Sequence, residues 1–176
     1  CDTRNLHALT DWLDASSIKS FGTTLIDMYS ERPIEKTPYR DGSDPFRKLE
    51  YFDSGNYTMR RNNKYGNLWI QGGPRQRVFF EDEPELAPAL NKIPLVKWKR
   101  GFVYVSSTHS LLPRGLNQVY DEWGGEKATG CLLHAKFLNI LRDKALEELE
   151  RRQHFAASRE YEAYSQKLGT GARLWT

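Results

Sequence analysis

Apolar positions along this chain change period several times, and each change marks an element. Leu6, Leu9 and Leu13 recur at helical spacing with Trp12 widening the stripe, which predicts an amphipathic helix over Asn5–Ser16. Phe21–Tyr29 then reads as a strand rich in Thr, Ile and Tyr, with Asp27 near its end. Glu31–Pro45 carries three prolines and a glycine, the pattern of a long polar loop. Short aromatic runs follow at Tyr51-Phe52, Leu68-Trp69-Ile70 and Val78-Phe79-Phe80, and the acidic stretch Glu81–Glu85 reads as solvated surface. Leu95–Trp98, Phe102–Ser107 and Thr129–Leu138 are further strand candidates, with Gly124-Gly125 turning the chain before the last. Leu138, Leu141, Ala145 and Leu149 mark a helix ending at Arg151 and Arg152, where the dipole favours cations. A second short helix is expected over Arg159–Leu168, capped by Ser158 and stopped by Gly169.

The order of helix, strands and two closing helices predicts an α/β or α+β fold, of which α/β is preferred, with residues 139–176 as a C-terminal helical segment. At 176 residues, without a repeat or interior linker, one domain or a large part of one is expected. Composition adds little to that picture. Lys and Arg outnumber Asp and Glu by 26 to 23, too mild an excess, and too dispersed, for a nucleic-acid binder. Two cysteines, Cys1 and Cys131, exclude a disulfide framework and make a reducing, cytoplasmic setting the expectation. No apolar run approaches the ~20 residues that span a bilayer, and no signal-peptide pattern opens the chain.

Three places could carry chemistry. In Gly130–Leu138, strand alternation would put Leu132, His134, Lys136 and Leu138 on one face. Two polar groups would then project together from a mostly apolar strand, suiting a metal ligand and a phosphate-balancing cation. A core histidine bonded to backbone, with the lysine reaching water, explains the pattern too. In Gln71-Gly72-Gly73-Pro74-Arg75-Gln76-Arg77, paired glycines allow close approach of a ligand, and arginines can grip phosphate. Pro74 could begin a helix whose N-terminus attracts anions; a turn with two exposed arginines is the alternative. Asp27, Asp53 and the Glu81-Asp82 pair are candidate bases, each also readable as a cap, turn or surface residue. His109 falls where a strand should end, a common place for functional groups. The five Trp, nine Tyr and eight Phe could stack on sugars as well as fill a core, so a non-catalytic carbohydrate- or partner-binding domain stays open.

In order, the segments Leu25–Tyr29, Tyr51–Asp53, Gly72–Arg77, Asn91–Trp98, Ser107–His109 and Leu132–Phe137 resemble the bacterial glycosyltransferase family 2 proteins of the GT-A fold. That resemblance covers most of the chain, trailing helices included. It implies the C-terminal, acceptor-side portion of a Rossmann-like domain with a mixed sheet, transferring sugar from a nucleoside-diphosphate donor to a glycan or other hydroxyl acceptor. It implies Mn²⁺ or Mg²⁺, with His134 as a metal ligand and Lys136 facing the diphosphate. Asp27, Gly72, Gly73, Arg75 and Arg77 would line the substrate site, and Asp53, Asp82 and His109 would be the catalytic candidates. The family's Asp-x-Asp metal motif has no suitable counterpart, since Asp41-Gly42-Ser43-Asp44 has the wrong spacing. Its expected place is upstream of Cys1, so the chain reads as part of a longer enzyme.

Overall fold

The computed structural model describes residues 5–121, 127–152, 158–171 and 173–175. In chain order its elements are helix α1 (Leu6–Ala15), strands β1 (Ser20–Asp27), β2 (Thr58–Asn62), β3 (Asn67–Gln71), β4 (Asn91–Val96), β5 (Val103–Tyr104), β6 (Leu111–Leu112) and β7 (Thr129–His134), then helices α2 (Leu141–Arg151) and α3 (Arg159–Gly169). The architecture is mixed α/β, with a three-stranded sheet ordered β4–β1–β7 and separate pairs β2–β3 and β5–β6. Among the described residues, no helix is long and apolar enough to cross a membrane.

The chain divides into two compact units, each discontinuous in sequence. The first comprises Cys1–Thr24, Met59–Trp69 and Asn91–Cys131; the second comprises Leu25–Thr58, Ile70–Leu90 and Leu132–Thr176.

In the first unit, α1 begins where the Asn5 side chain accepts the Ala8 N–H at 2.8 Å, and it buries Leu13. β1 and β4 run antiparallel with Ser20 opposite Val96 and Thr24 opposite Asn91, and the register shifts between Phe21 and Thr23. Gly22 lies at that irregularity because a Cβ there would come within 2.5 Å of Val119 Cγ2. The core gathers Ile93, Leu111, Leu116 and Val119, with Phe102, Tyr104 and Tyr120 against it. Their polar ends are satisfied: the Tyr104 hydroxyl donates to Ile93 O at 2.8 Å, and Tyr120 lies between Thr23 O and Lys92.

In the second unit, α3 lays Tyr161, Tyr164 and Leu168 against Phe79, Phe137, Leu141 and Ala145 in one apolar cluster. Phe79 stacks on Phe137 and meets the Tyr164 ring edge-on at 4.8 Å. A smaller cluster holds Met28, Leu49 and Leu138.

Several boundaries differ from the expected ones. β1 stops at Asp27; Met28 still donates its N–H to His134 O at 3.1 Å, and Tyr29 forms an isolated bridge with Tyr51. β7 likewise stops at His134, so Lys136 lies beyond the strand; Phe137 and Leu138 are then both buried instead of alternating. The Val78–Phe80 run closes a π-helical turn and is no strand, and of Phe102–Ser107 only Val103–Tyr104 form a strand, with Ser106 in an isolated bridge to Thr108. Ser158 precedes α3 as expected but makes no capping bond, its buried hydroxyl having no partner. Gly169 is the last residue of α3. The expected Gly124-Gly125 turn lies outside the described residues.

Candidate functional site

The second unit brings several of the sequence candidates together around Arg75. Gly72 and Gly73 adopt φ of 144° and 66°, backbone that favours glycine. A Cβ on Gly72 would also collide with Asn56 O and stand 2.7 Å from Tyr57 Cα. This tight passage leads through Pro74 into a π-helical turn, Arg75–Phe79. Such turns are rare and cluster at functional sites.

The turn sends its two arginines to different carboxylates. Arg75 is buried and grips Asp27 with both arms, Nε to Oδ2 at 3.0 Å and Nη2 to Oδ1 at 2.6 Å. Arg77 grips Asp53 in the same way, with both distances 3.0 Å, and also donates to Leu174 O at 2.8 Å. Asp53 further accepts the Tyr29 hydroxyl at 2.8 Å and the Asn56 amide at 3.2 Å, so both its oxygens are engaged. Burial and the Asp53 carboxylate push the Tyr29 phenol up to about 12, keeping it a donor.

His134 completes the Arg75 pair. Its Nδ1 lies 2.7 Å from Asp27 Oδ1, with Arg75 Nη2 3.1 Å away. A lone pair facing a carboxylate oxygen at that distance would be repulsive, so Nδ1 carries the proton and donates it to Asp27. Nε2 is then the ring nitrogen able to act on a ligand, and 35% of the side chain is exposed. Burial alone would raise the Asp27 carboxyl, but the Arg75 charge and the bonds from His134 and Arg75 outweigh it and hold it down to about 2. Burial likewise disfavours a charged Arg75, and Asp27 more than offsets that, raising its pKa.

Lys136 joins the same network from beyond the strand end. Its ammonium bonds Glu160 of α3, and the Tyr164 hydroxyl donates to the same carboxylate oxygen. That oxygen is 3.9 Å from Arg75 Nη1. The ammonium also sits 4.3 Å from the Tyr164 ring centroid and 5.2 Å from that of Tyr161. Burial, then the neighbouring Arg75 charge, lowers the Lys136 ammonium to about 8 despite Glu160. Burial raises the Tyr164 hydroxyl well above its ordinary value.

Two candidates stand apart from this network. Asp82 is exposed on the acidic loop, as expected of that stretch. His109 belongs to the first unit, where Nδ1 lies 2.7 Å from Asn91 O and Nε2 3.1 Å from Lys92 Nζ. A neutral ring donating at Nδ1 and accepting at Nε2 satisfies both contacts.

The arginines correct an expectation. Arg75 is neither exposed nor left to grip a phosphate, because Asp27 takes its fork. The helical turn after Pro74 is short and its second arginine is spent on Asp53. Sequence reading missed Glu160 and Tyr164. Their signal was present: Glu160 and Tyr164 are four apart on a helix whose Tyr161, Tyr164 and Leu168 mark the buried face.

Among the described residues, no three His, Cys, Asp or Glu groups converge as a metal cluster. The donor chemistry fits one ligand position only. A histidine whose Nδ1–H is fixed by a carboxylate presents Nε2 as metal-binding histidines do, while Asp27 could ligate only by releasing Arg75. Compared with models of known families, with curated proteins and with solved structures, the chain shows no match.

Proposed function

We propose that this chain is the acceptor-side portion of a GT-A glycosyltransferase, cytoplasmic and inverting, that moves a sugar from a nucleoside diphosphate to a hydroxyl. The observation that carries the reading is His134: its imidazole is oriented by Asp27, and 35% of its side chain is exposed. Asp27, Arg75, His134 and Lys136, drawn from three separate segments of the family resemblance, meet in one bonded network, which supports it further. His134 would supply one ligand to Mn²⁺ or Mg²⁺, with the others outside this network. Such a cation, when bound, stabilises the charge developing on a leaving diphosphate.

The chain's own groups then have distinct tasks. Asp27 keeps the His134 proton on Nδ1, and Arg75 keeps Asp27 ionised. The Gly72-Gly73 passage keeps side chains away from the backbone there. Asp53 and Asp82 are the candidate bases for the proton of the acceptor hydroxyl; Asp53 would have to release Arg77 to take it, and Asp82 is exposed on the acidic loop. The acceptor oxygen forms its bond to the anomeric carbon as the bond to the diphosphate breaks.

The test uses Mn²⁺ as a paramagnetic probe. In the full-length protein, adding it should broaden the His134 imidazole signals, and sugar transfer from a panel of nucleotide sugars should fall strongly in His134→Ala. Unbroadened His134 signals, or unchanged turnover and Mn²⁺ dependence in the variant, would remove the metal-ligand role. A second reading, a non-catalytic glycan-binding domain, is favoured by the pairing of Asp27 and Asp53 with arginines. It predicts saturable, metal-free binding on a glycan array, unaffected by His134→Ala.

A further inference from the structure

The first unit holds a polar cleft of about 270 Å³, bordered by the β2–β3 hairpin, the short helical turn Arg114–Asn117 and the chain near Asp121 and Lys127. Among the described residues its lining includes Arg61, Asn67, Gln118, Asp121 and Lys127, with Leu68 the one aliphatic side chain. Asn117 fixes the shape of this cleft. Fully buried, it accepts the Leu111 N–H at 2.7 Å and donates to Tyr65 O at 2.8 Å, which ties the turn to the hairpin.

Cations outnumber acids around the cleft. Lys127 donates to the carbonyl oxygens of Gln118 and Tyr120, at 3.1 and 3.3 Å. Arg114 donates to Asn63 O at 2.5 Å, and its guanidinium lies against Gly66, a lining residue whose added Cβ would stand 3.6 Å from Nη2. Carbonyl oxygens satisfy these N–H groups but leave both charges unneutralised. Arg61 is a third cation and Asp121 the one carboxylate of the lining among the described residues, so three positive charges less one leave a surplus of two. A carboxylate ligand would cancel half of that. A phosphate monoester carries about −1.5 to −2 near pH 7 and matches it, and the arginine fork suits its oxygens.

Asn67 adds a second, independent requirement. It is 3% exposed, and its Nδ2 donates to His109 O at 2.8 Å and to Ser110 Oγ at 3.1 Å. A carbonyl oxygen only accepts, so the amide orientation is fixed and Oδ1 is an acceptor. That Oδ1 is buried without a hydrogen-bond partner among the described residues. Such atoms are rare, and a ligand hydroxyl is a donor that would satisfy it.

We propose that this cleft binds a small phosphate monoester that also carries hydroxyl groups, of the class of sugar and polyol phosphates. Lys127, Arg114 and Arg61 hold the phosphate, and a hydroxyl donates to Asn67. The size of the cleft sets the size of the ligand: it falls below the roughly 300–1,000 Å³ of sites for drug-sized molecules, which leaves out a nucleotide. A nucleic-acid strand fits less well too, since it needs rings to stack on, and Tyr120 has its hydroxyl tied to Thr23 O. The proposal rests on the first unit alone and is independent of the chemistry assigned to His134.

The experiment is isothermal titration of the chain, without added metal, with amide chemical shifts to place the ligand. The probes are hexose, pentose and glycerol phosphates, with inorganic phosphate and glucose beside them. At least one monoester should bind saturably and shift the amides of residues 61–68 and 117–121. Inorganic phosphate should bind about tenfold more weakly, because it lacks the polyol hydroxyls, and glucose should not bind. Lys127→Gln and Arg114→Gln should each weaken the monoester by about tenfold. Both side chains are exposed, and circular dichroism checks that the variants fold. No saturable shift with any monoester, equal affinity for inorganic phosphate or glucose, or wild-type affinity in both variants would each overturn the proposal. So would tighter binding of an RNA oligonucleotide or a nucleoside diphosphate to the same residues.

Discussion

Replacing Asp27 by Asn tests the buried network directly. Asp27 and Arg75 are both almost fully buried, and their forked bond is the shortest contact between Arg75 and an acid. The Asn side chain keeps the shape and one acceptor but removes the charge. Arg75 would keep its own charge, since it cannot deprotonate, with Glu160 at 3.9 Å as its remaining acid. Breaking one partner of a buried pair costs about 3–5 kcal/mol. Linkage gives an independent estimate from the wild type. Asp27 titrates at about 2 in place of 3.8, and each pKa unit is worth ~1.4 kcal/mol, so ionisation contributes about 2–3 kcal/mol. The folded value is the depressed one. That stability is therefore present above pH ~4 and is lost as pH falls towards 2. Urea denaturation at pH 7 should find the variant about 3 kcal/mol or more below wild type, and the gap should narrow between pH 4 and 2. Adding Arg75→Met to Asp27→Asn should restore part of the loss, because no unpaired charge then remains. An Asp27→Asn variant within 1 kcal/mol of wild type at pH 7, or a gap indifferent to acid, would refute the account of Arg75 as a buried charge held by Asp27.

Lys136→Met removes an ammonium that burial holds at about 8, below its unfolded value of 10.5. The unfolded chain binds more protons above pH 8, so wild-type stability should rise relative to the variant between pH 7.5 and 9.5, by about 2 kcal/mol in denaturant titrations. Gly72→Ala meets Asn56 O and Tyr57 Cα and should cost more than about 2 kcal/mol; Gly42→Ala, at φ 77° with open space, should cost only about 1 kcal/mol of backbone strain, as thermal melts will show. Arg77→Ala loses the Asp53 fork and the bond to Leu174 O, so limited proteolysis should cut residues 173–175 sooner, with about 1–2 kcal/mol lost.

Local rules found the elements that answer to local chemistry. Asn5 caps α1, and the expected Asn5–Ser16 helix differs from Leu6–Ala15 by its two caps. The Glu31–Pro45 loop and the acidic surface after Phe80 follow from prolines and charge. The sequence also singled out Asp27, Arg75, His134 and Lys136, though not for what they do to one another. Strand alternation failed beyond His134 because Phe137 and Leu138 are claimed by two different apolar clusters, which no period-two pattern encodes. The fate of the arginines was hidden for a similar reason. Arg75 finds its acid 48 residues back and Arg77 its acid 24 residues back, pairings that exist only once the chain has folded. Glu160 was legible as a charge beside the apolar stripe of α3, but its partner Lys136 was not.

The pairing of these charges bears on how any anion could be held. Family resemblance would give Lys136 to a diphosphate and line the substrate site with Arg75 and Arg77, yet each is matched by its own carboxylate: Glu160, Asp27 and Asp53. Pulling Arg75 away would leave Asp27 buried without its partner and would disturb the carboxylate that orients the His134 ring. The network is close to neutral as it stands, so it has no surplus charge with which to attract a phosphate. A diphosphate at this place would need a cation that these residues do not supply. His134 is the group with a nitrogen suited to bring one in. Under the proposed reading, diphosphate binding would therefore require a metal, on the charge balance as well as on the orientation of the ring. Isothermal titration checks it: a nucleoside diphosphate should bind only with Mn²⁺ present, and equal affinity without metal would mean that one of the three ion pairs opens to receive it.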